Sequence, residues 1–73
     1  MTKQKAKRLL ESARESLTFW RECYVDLCRD KTPTLDIHLN YYGGTIRNIK
    51  KAEYLENIAS VKERIAKYER VAL

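Results

Sequence analysis

The stretch Leu35–Ile49, LDIHLNYYGGTIRNI, decides the fold of this chain. Leu35, Ile37, Leu39 and Tyr41 alternate with Asp36, His38, Asn40 and Tyr42. A period of two is the signature of a strand with one buried face. Asp36, His38 and Asn40 are poor helix formers, and the β-branched and aromatic neighbours favour extended backbone. Gly43-Gly44 suits a two-residue hairpin turn, because both positions reach φ > 0 without a Cβ clash. That turn sets Tyr42 opposite Thr45, Tyr41 opposite Ile46 and Asn40 opposite Arg47. The expected element is therefore a β-hairpin over about residues 33–47. The rival is a short middle helix, with Thr32 as N-cap, Pro33 as first residue and Gly43 as its stop.

Both flanks of this stretch read as long helices. Before it, Ala6, Leu10, Ala13, Leu17, Trp20, Tyr24 and Leu27 step by four and three residues. This is a heptad seam on one helical face, uninterrupted by Gly or Pro, over about residues 3–30. Leu9 and Cys23 widen it. After the stretch, Tyr54, Ile58, Val61, Ile65, Tyr68 and Ala72 repeat the same steps over about residues 49–71. Leu55, Ala59 and Ala66 widen that stripe, and Asn48 is the expected N-cap. Two seams of equal period and similar length predict an antiparallel pair. The expected fold class is a small α+β domain of long helix, β-hairpin and long helix; the alternative is an all-α helical bundle.

Seventy-three residues make one domain, 1–73, with little capacity to bury a core alone. A homodimer, with four helices in one bundle, is the expected remedy. No apolar run approaches the length of a membrane span, and the basic N-terminus lacks the apolar core of a signal peptide. The chain reads as cytoplasmic, with its two cysteines reduced.

No catalytic constellation is present. The one histidine, His38, falls on the polar side of the expected hairpin, without a nucleophile placed beside it. Gly43-Gly44 matches neither phosphate-binding glycine pattern. Cys23 and Cys28 lie about 140° apart around a helix and cannot share one metal. The chain is therefore expected to be no enzyme, with no cofactor and no metal site.

What remains is charge and aromatic surface. Fifteen Lys and Arg against ten Asp and Glu give a net charge of +5. Lys7, Arg14 and Arg21 repeat every seven residues beside the first seam. Lys3, Lys5, Lys7 and Arg8 form one cluster, and Arg47, Lys50 and Lys51 another. These are the candidate contacts to nucleic acid or to an acidic protein surface. Phe19 lies off the seam beside Trp20, and Tyr42 falls on the polar side of the hairpin. Phe19, Trp20, Tyr42 and Arg47 are thus the candidate protein-interface residues, aromatic anchors being enriched at interfaces. The expected function is a non-enzymatic protein-binding module: an adaptor, regulator or inhibitor of a larger protein. Its size and lysine-rich composition fit an accessory protein of a phage or mobile element. The alternative is a small basic DNA- or RNA-binding regulator.

Overall fold

The computed structural model describes residues 1–38 and 44–73. Helix α1 runs Lys3–Arg29 and helix α2 runs Ile46–Ala72, 27 residues each. A single 3-10 turn, Pro33–Asp36, lies between them. The helices are antiparallel. Ala6 and Leu10 near the start of α1 pack with Ala72, Ile65, Tyr68 and Val71 near the end of α2. Trp20 meets Tyr54 farther along, and Arg47 in the first turn of α2 reaches the Leu27 carbonyl.

The seam forms as its spacing predicts. Ala6, Leu10, Ala13 and Leu27 of α1, with Ile58, Val61 and Ala72 of α2, are buried. Leu17, Trp20, Tyr24, Tyr54, Ile65 and Tyr68 are half-buried along the same line. The widening residues divide. Leu9 and Cys23 are half-buried, but Leu55, Ala59 and Ala66 face water.

The expected β-hairpin is not there, and the fold is a helical hairpin rather than an α+β domain. Among the described residues there is no strand; one isolated antiparallel bridge joins His38 to Thr45. The expected register gave Thr45 to Tyr42, which with the rest of residues 39–43 lies outside the described residues. The physical reason is the start of α2. Thr45 is extended (φ −96°, ψ 160°), and its hydroxyl accepts from the Asn48 N–H at 3.1 Å, so Thr45 and not Asn48 is the N-cap. Ile46 and Arg47, assigned to the second strand, become the first turn of the helix. Two residues in a lone ribbon would gain less than the same two extending a long helix. The rival middle helix is also cut short. Thr32 precedes it and Pro33 opens it, but it lasts one turn, and Ile37 is already extended (φ −78°, ψ 130°).

Other ends follow ordinary capping. The Thr2 hydroxyl accepts from the Lys5 N–H at 3.1 Å and starts α1. Asp30 ends it, accepting from both the N–H and the hydroxyl of Thr32, which turns the chain toward Pro33.

The molecule is a ribbon of 48 × 22 × 12 Å, one helix thick. Its radius of gyration is 16.2 Å, against about 11 Å for a compact domain of this length. A ribbon has two broad faces. At about 100° per residue, Leu9, Ser12, Ser16, Phe19 and Cys23 of α1 turn to one face. Asn57, Ser60 and Val71 of α2 share it. Lys7, Arg14, Arg21 and Val25 turn to the other, with Leu55, Ala59 and Ala66. The Arg14–Glu69 ion pair, 3.5 Å, bridges the helices on that second face.

Candidate interaction surfaces

On the first face, Phe19 is 57% exposed and sets its ring edge against Trp20, centroids 5.2 Å apart at 71°. Trp20 in turn meets Tyr54 of α2 at 5.6 Å. Three rings thus run from solvent into the seam, a packing that fixes the Phe19 side chain at the surface. Phe19, Cys23, Asp26 and Asp30 follow one another at steps of four, three and four along α1. Beyond Phe19 this lane becomes one wall of an open cleft of about 280 Å³. Leu27 and Leu35 give the cleft its apolar lining, and Lys50 and Tyr54 form the opposite wall.

The second face combines exposed apolar groups with a row of basic side chains. Leu55 is 50% exposed and Val25 42%. Ala52, Ala59 and Ala66 lie beside Leu55 on α2, all exposed. Lys7, Arg14 and Arg21 run along the α1 side, and all three are exposed. Arg14 pairs with Glu69, and that pair is itself largely solvated.

The structure divides the sequence-derived candidates. Phe19 and Trp20 pack against each other. Tyr42 lies outside the described residues. Lys3 and Lys50 are exposed and Lys51 is half-buried. The two basic clusters do not converge: Lys3, Lys5, Lys7 and Arg8 lie at the open end of the hairpin, while Arg47, Lys50 and Lys51 lie at the loop end. The helix between them is about 40 Å long.

Arg47 is not a surface contact. Its side chain is only 13% exposed. Its Nε donates to Asp36 Oδ1 at 3.0 Å and Nη2 to Oδ2 at 3.4 Å, a two-pronged grip on one carboxylate. Its Nη1 donates to the Leu27 carbonyl. That carbonyl belongs to the last turn of α1, where backbone acceptors lack a helical partner. Arg47 therefore ties the end of α1, the 3-10 turn and the start of α2 into one clasp. The hydrogen bond from Arg47 holds the Asp36 carboxyl below its ordinary range, and the Arg47 guanidinium is raised in return. Asp30 is also lowered, by the two hydrogen bonds from Thr32 and by the nearby charges of Arg47 and Lys50.

The clasp has a partial signal in the sequence. Arg47 stands seven residues before Tyr54, and so continues a row of the α2 seam. Its partner Asp36 lies across the connection, where no spacing rule applies.

Cys23 is half-buried and Cys28 exposed, both as free thiols. Among the described residues no group of three or more His, Cys, Asp or Glu is placed to hold a metal. No described helix is long and apolar enough to cross a membrane. Compared with protein-family models, with curated proteins and with solved structures, the chain matches none.

Proposed function

We propose that this chain is a non-enzymatic protein-binding module, an adaptor, regulator or inhibitor that docks on a larger protein. One observation carries the reading: a one-layer ribbon leaves large apolar side chains in water beside an ordered row of positive charge. Stable domains bury their apolar stripes between at least two layers. The Leu55 face offers one partner the apolar ground of Val25, Leu55, Ala59 and Ala66, and flanks it with Lys7, Arg14 and Arg21. The complementary surface is apolar with an acidic border. The basic row would set register and speed encounter, while the apolar centre supplies affinity.

Capture from the native host with wild type, and with the double variant Arg21→Glu/Leu55→Arg, tests this. Both substitutions are on the surface, so helicity and melting should be unchanged. The reading expects proteins enriched by wild type and lost by the variant. Identical capture by both would contradict it.

The same basic row supports the second reading, a small DNA- or RNA-binding regulator. Phosphate contacts would make binding fall steeply with salt. The separation of the two terminal clusters, and the engagement of Arg47 with Asp36 and the Leu27 carbonyl, favour the protein partner. Fluorescence anisotropy on duplex and single-stranded probes at low salt distinguishes the two.

A further inference from the structure

The Phe19 face has a property that the Leu55 face lacks. Its charges and shapes repeat in reverse about a single point. Along α1 one lane reads Lys5, Ser12, Phe19, Asp26. Run antiparallel against a second copy of itself, it sets Lys5 opposite Asp26 and Ser12 opposite Phe19. The neighbouring lane reads Leu9, Ser16, Cys23. The same operation sets Leu9 opposite Cys23, and Ser16 opposite itself. Helix α2 behaves alike. Glu53, Ser60 and Lys67 form a lane in which Glu53 falls opposite Lys67, and Ser60 opposite itself.

The two centres coincide in space. Trp20 lies beside Tyr54, and the cluster of Ala6, Leu10 and Ala72 packs against Ile65, Tyr68 and Val71. Interpolating between these contacts along the antiparallel pair puts Ser16 level with Ser60. One axis, perpendicular to the helices, therefore serves both. Where it passes, both residues are small, so two ribbons can approach closely. Away from it, Lys5 meets Asp26 and Glu53 meets Lys67.

The area is of the right size. The chain exposes 5763 Å². A compact monomer of 8.7 kDa exposes about 4,700 Å². The excess, roughly 1,000 Å², is close to the 800 Å² that each partner buries in a standard interface. A second ribbon also supplies the second layer that a single helix thickness lacks.

We infer that two copies of this chain pack face to face through the Phe19 face. The axis runs through Ser16 and Ser60, with α1 on α1 and α2 on α2, both antiparallel. The product is a four-helix bundle. Phe19, held at the surface by Trp20, is the apolar plug of the interface and lies over Ser12 of the second copy. The Leu55 face is not used. There the same kind of axis would bring the Lys7, Arg14 and Arg21 rows of two copies together.

Sedimentation equilibrium at tens of micromolar tests this on the full chain, without any other partner. Wild type should show twice the chain mass. Ser60→Arg sets two positive charges on the axis and should weaken the dimer at least about tenfold. Lys5→Glu should weaken it, Asp26→Lys should weaken it, and the two together should restore it. Circular dichroism on each variant confirms the helices, and the charge swap keeps the test decisive should Ser60→Arg unfold. Phe19→Ala also weakens the dimer, whereas Leu55→Arg leaves the mass unchanged, so failure here is separable from failure of the docking reading. A monomer at this concentration would overturn the inference. So would a higher oligomer, a dimer indifferent to Ser60→Arg, or a double variant weaker than either single one.

Discussion

The two broad faces of this ribbon are made by the same two helices, yet they differ in symmetry. The Phe19 face carries Lys5 and Asp26, Glu53 and Lys67, at positions that exchange when the ribbon is turned end over end. The Leu55 face carries three basic residues in a row on α1 and no matching acidic row across from them. A face that complements itself suits a second copy; a face whose basic row would meet itself suits a different molecule. Composition cannot distinguish the two, because both faces mix apolar and charged groups. Only the order of the residues along each lane separates them.

The comparison stands on the seam that holds the helices together, so the largest effect comes from breaking it. Leu10 is 6% exposed at the open end. Leu10→Ala removes a buried side chain and leaves a cavity, at a cost of about 2–5 kcal/mol. In so small a domain that approaches the whole stability. Thermal melting followed by circular dichroism should show the folded baseline shortened or lost, and both faces should fail together.

Arg47→Ala should come next. It frees the Asp36 carboxylate and the Leu27 carbonyl at once, and the melting midpoint should fall. Asp36→Asn should fall less, because the bond to the Leu27 carbonyl survives. Equal losses would mean that the carbonyl contact contributes nothing.

Acid acts on the same loop end. Asp30 and Asp36 are both held below their ordinary range in the folded chain. A carboxyl with a depressed folded pKa contributes stability that is present above its unfolded value, near pH 4 for aspartate. That stability is lost as pH falls through the folded value. Melting midpoints should therefore hold steady from neutrality to about pH 5 and drop below about pH 4. In Arg47→Ala the Asp36 share of that drop should vanish, leaving the Asp30 share. An unchanged acid profile in Arg47→Ala would remove the clasp from the account.

A smaller effect locates the start of α2. Thr45→Ala should cost about 1 kcal/mol, the usual worth of an N-cap side chain. Asn48→Ala should cost less, since it is the Asn48 backbone N–H that bonds to Thr45. The smallest effect belongs to Leu55→Arg. As a surface change it should move stability by no more than about 0.5 kcal/mol. It should leave the mass of the particle unaltered while abolishing capture of a docking partner.

The helices were readable because the burial they need is periodic. Each of the thirteen residues assigned to the two seams from their spacing is buried or half-buried. Phe19 was readable for the same reason, as an aromatic off the stripe. The connection was not. Leu35 to Tyr42 alternates like a strand, but alternation is a demand for a half-buried surface, and among the described residues there is no second strand to supply one. Ile46 and Arg47 fit either a strand or a helix. The choice between them lies with Thr45, whose hydroxyl caps Asn48, and with Asp36, whose carboxylate awaits Arg47. Arg47 read as a surface cation because its type is usually exposed. Its two acceptors are brought to it only by the folded turn. The symmetry of the Phe19 face lies in the sequence throughout. It becomes visible only when Trp20 beside Tyr54 sets the height of one helix against the other.

The most direct test of the two-face account is an isotope-filtered nuclear Overhauser measurement on particles mixed from labelled and unlabelled chains. Only contacts between copies give a signal. The account predicts contacts from the Phe19 ring to Ser12 of the other copy, with silence from the Leu55 methyls. Cross-copy contacts at Leu55, or none at Phe19, would contradict it.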